Sequence, residues 1–229
     1  GKSIHYKVAI RSLVLKRLAR TFELIVFSIA LSIMIAIPLG IIAGTNRGTV
    51  IDTIASSSAV LGLSTPVFVV GILLILVFSI ALKILPPGGF VDIIDNPIKH
   101  FQCIILPTIS LSAATVGTTT RMTRAAVIEV LKKDYVRTAL AKGLSYRRVI
   151  FKHVLRNSLI PIVTMLGIRF GTLLGGTVIV EAVFAYPGFS TLLVTAVYHR
   201  DYPLIQAVLL IIMIFFVVLN LIIDIINSY

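Results

Sequence analysis

The chain contains no tryptophan, one cysteine, Cys103, and nine acidic residues among 229. A lone cysteine excludes a disulfide framework and a cysteine-built metal cluster. The four histidines, His5, His100, His153 and His199, are scattered without ligand spacing, so no metal site is expected. Clustered nucleophiles are missing as well. Gly171 and Gly176 have the offset of a phosphate loop, but Thr177 stands where its lysine is needed and the stretch lies inside an apolar run. No catalytic residue and no bound cofactor are therefore assigned to this chain. No secretory signal is visible.

What the chain does have is hydrocarbon. It is 58% hydrophobic with a mean hydropathy of +1.05, which predicts an all-α, polytopic transmembrane helical bundle. Lys and Arg number 21, giving a net charge of +12. Such a surplus can point to nucleic acid, yet almost half of the Lys and Arg sit in one stretch between apolar runs. Orientation in a lipid bilayer explains it more simply, and no nucleic-acid partner is expected.

That stretch, residues 121–161, reads Arg121, Arg124, Lys132, Lys133, Arg137, Lys142, Arg147, Arg148, Lys152 and Arg156 against Glu129 and Asp134. Lys and Arg in short loops resist translocation, so it is expected on the cytoplasmic side. A helix through about Tyr135 to Lys142 should stop at Gly143, which tolerates a left-handed helix end, and Ser145 should cap a second helix running toward Pro161. A short transverse helix held at both ends by spans can be pushed sideways by a partner. The plainer alternative is a basic loop that fixes topology or touches anionic lipid.

Five spans are predicted, Phe22 to Gly44, Ile54 to Leu82, Ile104 to about Thr120, Ser158 to Val180 and Leu204 to Ile226, the first of roughly 23 residues being enough for about 30 Å of hydrocarbon. Residues 1–20, with six basic side chains and no clean amphipathic stripe, are expected at the membrane surface. Thr21 should cap the first span, with Glu23 in its first turn and a kink at Pro38. The second is interrupted at Gly62-Leu63-Ser64-Thr65-Pro66, either a packing kink or a hinge lining a pathway. The third carries Thr108, Ser110, Ser112, Thr115, Thr118, Thr119 and Thr120, hydroxyls that suit helix packing or a wetted passage better than a lipid face.

Arg169 lies about 11 residues into the fourth span, roughly 16 Å deep. A central arginine costs about 2.5–3.5 kcal/mol on insertion scales, so it must face water, a partner helix or an acid. It either lines a pathway and attracts a solute carboxylate or forms a structural pair. Glu181 ends the span, and Pro187-Gly188 turns the chain back, as an outer gate or a docking surface would. Arg200 and Asp201 should pair ahead of Pro203, and Asp224 could pair with the basic stretch.

Several of these strings resemble one family. Tyr135-Val136-Arg137-Thr138-Ala139, Ala141-Lys142-Gly143-Leu144-Ser145 and Leu155-Arg156-Asn157 are similar to the cytoplasmic loop of permease subunits of ABC importers, in the dipeptide, oligopeptide and nickel branch. The general importer motif agrees only at Ala139, Gly143 and Leu155. The likeness extends to Gly62-x-Ser64-x-Pro66, to Glu181, Phe184 and Pro187-Gly188, where Ser190 replaces the usual second glycine, and to Arg200-Asp201-Tyr202-Pro203. The family more often has a neutral polar residue at Arg169. Gly1-Lys2-Ser3 resembles the outer loop after the family's first span, so that span is expected to be missing from residues 1–229 and six are expected in a full-length member.

The resemblance implies a permease in a bacterial or archaeal plasma membrane, moving peptides, a nickel chelate or a related solute. It implies a second homologous permease subunit, two cytoplasmic ATP-binding subunits holding ATP and Mg, and an extracytoplasmic solute-binding protein. It makes Tyr135, Arg137, Thr138, Ala139, Lys142, Gly143, Leu144 and Ser145 the ATPase-coupling loop. Arg169, Glu181, Ser112, Thr115 and Thr119 become candidates for the pathway, and Pro66, Pro187 and Gly188 for a hinge or gate. The alternative is an ATP-independent secondary transporter or channel, which would more often show internal repeats or charged pairs at midplane.

Overall fold

The computed structural model describes residues 1–228, apart from the side chains of residues 160, 223, 224 and 226–228. The expected pairing of Asp224 therefore lies outside the described residues. The described elements are helical, with one isolated bridge between Lys2 and Ala9. In chain order they are α1 (Ile10–Thr45), α2 (Val50–Ser64), α3 (Val67–Leu74), α4 (Pro97–Leu131), α5 (Asp134–Ala141), α6 (Tyr146–Val149), α7 (Leu155–Val183), α8 (Phe189–Tyr198) and α9 (Tyr202–Ser228). Wider π-helical turns extend α3 over Ile75–Ala81 and join α6 to α7 over Ile150–Val154.

Among the described residues four helices are long and apolar enough to cross a membrane, and α2 with α3 gives a fifth where the pair counts as one span. The break between the two falls at Thr65-Pro66, where the sequence places it: proline removes a backbone donor and keeps Thr65 out of the helical region, and Thr65 is extended. On α9, Leu209, Leu210, Met213, Ile214, Val217 and Leu221 are exposed on this single chain, as expected of a helix solvated by lipid or by another subunit.

Two compact units divide the chain. One comprises Gly1–Ser28, Pro66–Ser112 and Ile168–Tyr229, the other Ile29–Thr65 and Ala113–Gly167. The core of the first gathers Ile10 and Val14 from α1, Phe189, Leu192 and Ala196 from α8, and Leu204 and Val208 from α9. The second has its own cluster of Val127, Val130, Val136, Ala139, Val149 and Val154, with Ile41, Leu131 and Leu144 against it.

Several local expectations are corrected. The first helix starts at Ile10, so Thr21 and Glu23 lie inside α1 and neither caps it nor occupies its first turn. Ile10 and Val14, one helical turn apart, have an apolar surface to bury against α8 and α9, which draws the basic segment into the helix. Likewise α4 runs on past Thr120 to Leu131. Thr123, Val127 and Val130 are buried at helical spacing while Arg121 stays exposed, so the opening of the basic stretch is helix. Ser145 precedes α6 in the cap position, but its side chain makes no capping hydrogen bond.

Candidate functional site

The second unit holds the helix the sequence marks for coupling. Val136 and Ala139, three apart on α5, turn into the valine cluster, while Tyr135, Arg137, Thr138 and Leu140 stay exposed. At Gly143 the backbone takes φ +81°, and the Leu144 N–H donates back to the Ala139 carbonyl at 3.3 Å. A left-handed residue there ends the helix, closes its last turn and leaves Lys142, Gly143 and Ser145 exposed at the corner. A supported inner face and a free outer face make α5 a surface that can receive force.

One ion pair in this unit escaped the sequence analysis. Asp52, in the first turn of α2, is 5% exposed. The Arg124 guanidinium of α4 grips it with both prongs, Nε to Oδ1 at 2.6 Å and Nη2 to Oδ2 at 2.7 Å. The Gly48 N–H adds a bond to Oδ2 at 3.0 Å and the Ser56 hydroxyl one to Oδ1 at 3.2 Å. Gly48 has φ +80°, and Thr49 accepts from the Asp52 N–H. The available signal was an acid three residues after a threonine at a helix start.

In the first unit, Glu181 is fully buried and is a knot in the packing. Its Oε1 accepts from the Thr21 hydroxyl at 2.6 Å and its Oε2 from the Thr191 N–H at 2.8 Å. Thr21 Oγ1 also accepts the Phe189 N–H at 2.7 Å. The turn carrying Pro187 and Gly188 is held here: the Tyr186 N–H donates to the Glu181 carbonyl at 2.8 Å, the Tyr186 hydroxyl donates to the Arg20 carbonyl at 3.1 Å, and the Gly89 N–H donates to the Phe184 carbonyl at 2.8 Å. A Cβ on Gly188 would overlap the Glu181 carboxyl. Burial pushes the Tyr186 phenol far above its usual range, so it stays a neutral donor.

Nearby, His100 on α4 is buried between two acceptors, with Nδ1 at 2.8 Å from the Val91 carbonyl and Nε2 at 2.9 Å from Glu23 Oε1. Glu23 thus faces the His100 ring from inside α1. The guanidinium of Arg20 lies over the Phe90 ring, 4.0 Å from its centroid.

At the start of α9, Asp201 bonds to the N-terminal segment, not to Arg200 as expected. It accepts from the Ser3 hydroxyl, from the His5 N–H at 3.1 Å and, through Oδ1, from the Leu204 N–H at 3.3 Å, capping α9. Arg200 takes φ +51° at this turn. Burial raises the Asp201 carboxyl, but these hydrogen bonds outweigh it and hold the group below the usual carboxylate range.

The remaining candidates are spread over both units. Ser112, Thr115 and Thr119 are buried in α4, and the Ser112 hydroxyl donates to the Ile109 carbonyl at 2.9 Å. Arg169 is half-buried in α7, where its carbonyl accepts from the Thr172 hydroxyl at 3.0 Å. Pro66 opens α3, its carbonyl accepting from the Val69 N–H at 2.9 Å.

Residues 36–229 match the family model described as binding-protein-dependent transport system inner membrane component. The chain is 38% identical over 224 residues to a probable peptide ABC transporter permease protein, y4tP, of Sinorhizobium fredii, covering 98% of this chain and 72% of that protein. It is 42% identical over 212 residues to the glutathione transport system permease protein GsiC of Escherichia coli K12, covering 93% and 67% respectively. Among solved structures it is similar to a chain of the MetNI methionine ABC transporter in an inward-facing conformation, with TM-score 0.75, 17% identity and coverage of 95% and 96%. A chain of an amino acid ABC transporter gives TM-score 0.71 at 13% identity, covering 95% and 94%. These two structural likenesses concern the fold alone.

Proposed function

We infer the rest of the function from one premise: the chain belongs to the binding-protein-dependent transport system inner membrane component family and is a multi-pass permease subunit of an ABC importer. On that premise it translocates peptides or a related small solute delivered by an extracytoplasmic binding protein. The sequence relatives support that class, since one is named for peptides and another for glutathione, itself a tripeptide. ATP and Mg are held and turned over by two cytoplasmic ATP-binding subunits, while this chain binds no cofactor. A second homologous permease subunit completes the passage, in a bacterial or archaeal plasma membrane.

The observation that carries the mechanism is α5, backed by an apolar cluster and bare on its other face. The ATP-binding subunits grip the surface around Tyr135, Arg137, Thr138 and Lys142, and their closure on ATP displaces α5. Ala139 supplies the buried anchor, and Gly143, Leu144 and Ser145 form the corner. The basic stretch lies on the cytoplasmic side. Pro66 acts as a hinge, and Pro187 with Gly188 forms an outer gate whose closed position Glu181 secures. Arg169 attracts the solute carboxylate, and Ser112, Thr115 and Thr119 meet the passage when α4 separates from its neighbours.

The test is reconstitution of the permease pair with its ATP-binding subunits and binding protein, comparing wild type with Gly143→Pro. Proline cannot adopt φ near +81°. ATP-dependent uptake should be lost while membrane insertion is retained, and uptake at the wild-type rate by this variant would refute the coupling role of α5.

A further inference from the structure

Resting on the coupling role proposed for α5, we propose that Asp52 and Arg124 are positioning residues that clamp the α1–α2 turn to the helix bearing α5, so that a push on α5 moves that turn with it. The relevant groups all belong to the second unit. Arg124 lies one turn before Val127, which is fully buried in the cluster that supports Val136 and Ala139 of α5. Gly44, near the end of α1, packs so closely on Val127 that a Cβ would overlap its side chain. The turn after α1, carrying Arg47 and Gly48, is therefore held by apolar packing through Gly44 and by the ion clamp through Asp52.

The clamp is built for register. Asp52 has both oxygens occupied by four donors, the two prongs of Arg124, the Gly48 N–H and the Ser56 hydroxyl. A planar fork on a carboxylate fixes direction as well as distance. A partly buried ion pair such as this one is a weak source of net stability, because desolvation and solvent screening offset its attraction, and its better-supported use is to select one arrangement over neighbouring ones. Fixing the α1–α2 turn on α4 is such a selection. Force delivered to α5 then reaches α1, α2 and α4 together, where apolar packing alone would let the turn slip.

The experiment places nitroxide labels at Arg47→Cys and Thr138→Cys on a Cys103→Ala background, in the whole permease in lipid nanodiscs. With the clamp intact, the label distance should be one narrow distribution, unchanged between the nucleotide-free and ATP-vanadate states. With Arg124→Gln it should broaden or split, and in the unlabelled variant, with Arg47 and Thr138 intact, stimulation of ATP hydrolysis by the binding protein should fall at least tenfold while basal hydrolysis stays within twofold. Arg124→Lys, which keeps the charge and loses the fork, should fall between. If Arg124→Gln fails to insert, Asp52→Asn reads the same distances with the arginine in place.

An unchanged, narrow distribution in the neutralised variant, or wild-type stimulation, would overturn the clamp. The distance distribution in the nucleotide-free permease needs no ATP-binding subunit, so its width decides the clamp separately. Failure of the wild-type permease to retain such a subunit would instead refute the function proposed above.

Discussion

The hydroxyl of Thr21 donates to the carboxylate of Glu181 at 2.6 Å across 160 positions of sequence, joining the middle of α1 to the end of α7. The same oxygen accepts the Phe189 N–H, so one threonine serves two otherwise buried groups. Thr21→Val should leave both without that partner, at about 1–3 kcal/mol for each. Thr21→Ser should retain most of the stability. Thermal unfolding of the purified permease in detergent checks the order, and equal midpoints for the valine and serine variants would contradict it.

Gly188→Ala tests the packing of the same corner. The added methyl would meet the Glu181 carboxyl, and overpacking of this kind costs about 1–3 kcal/mol. The expected outcome is a lower melting temperature and, if this turn forms the outer gate, slower uptake. Relief should come from Glu181→Ala in the same chain, since that substitution removes the clashing group; no relief would place the damage elsewhere.

The Asp201 staple predicts a pH dependence with a definite sign. Its carboxyl is held below the ordinary value of about 3.9. The unfolded chain therefore takes up this proton first as pH falls. The stabilisation is complete above the unfolded value and is lost as pH drops through the lower folded one. Asp201→Asn should destabilise the permease by about 1–2 kcal/mol at pH 7. The gap from wild type should narrow toward pH 3, and a gap that widened on acidification would contradict the assignment.

Helical class, four to five apolar spans, the break at Pro66 and the stop at Gly143 were legible because each rests on a local cause: hydrophobic run length, a proline without a donor, a glycine at positive φ. What remained hidden was pairing over long sequence distances. Thr21 looks like a cap and Glu23 like a first-turn acid when only neighbours are considered, because their partners Glu181 and His100 are distant in sequence. Asp201 beside Arg200 suggests an ion pair, yet the turn at Arg200 leaves the carboxylate to Ser3 and His5. Asp52 went unnoticed because one acid near a short turn carries no pattern until Arg124 is placed against it. The hydroxyls of α4 were visible as a group, while their burial depends on which helices cover them.

The backbone at Gly143 yields a graded series. An alanine there must adopt the left-handed region at about 1–2 kcal/mol, and a β-branched valine is disfavoured further. Transport should therefore fall from Gly143 through Gly143→Ala to Gly143→Val, with thermal stability changing much less than uptake because the corner is exposed. Parallel losses of stability and uptake would mark the corner as structural only.

The central claim is that an ATP-binding subunit acts on α5, and a photocrosslinker in place of the exposed Tyr135 tests it most directly. In the assembled transporter the account predicts a crosslink to the ATP-binding subunit whose yield changes between the nucleotide-free and ATP-trapped states. Labelling of Tyr135 from the extracytoplasmic side, or full ATP-dependent uptake with no crosslink in either state, would contradict it.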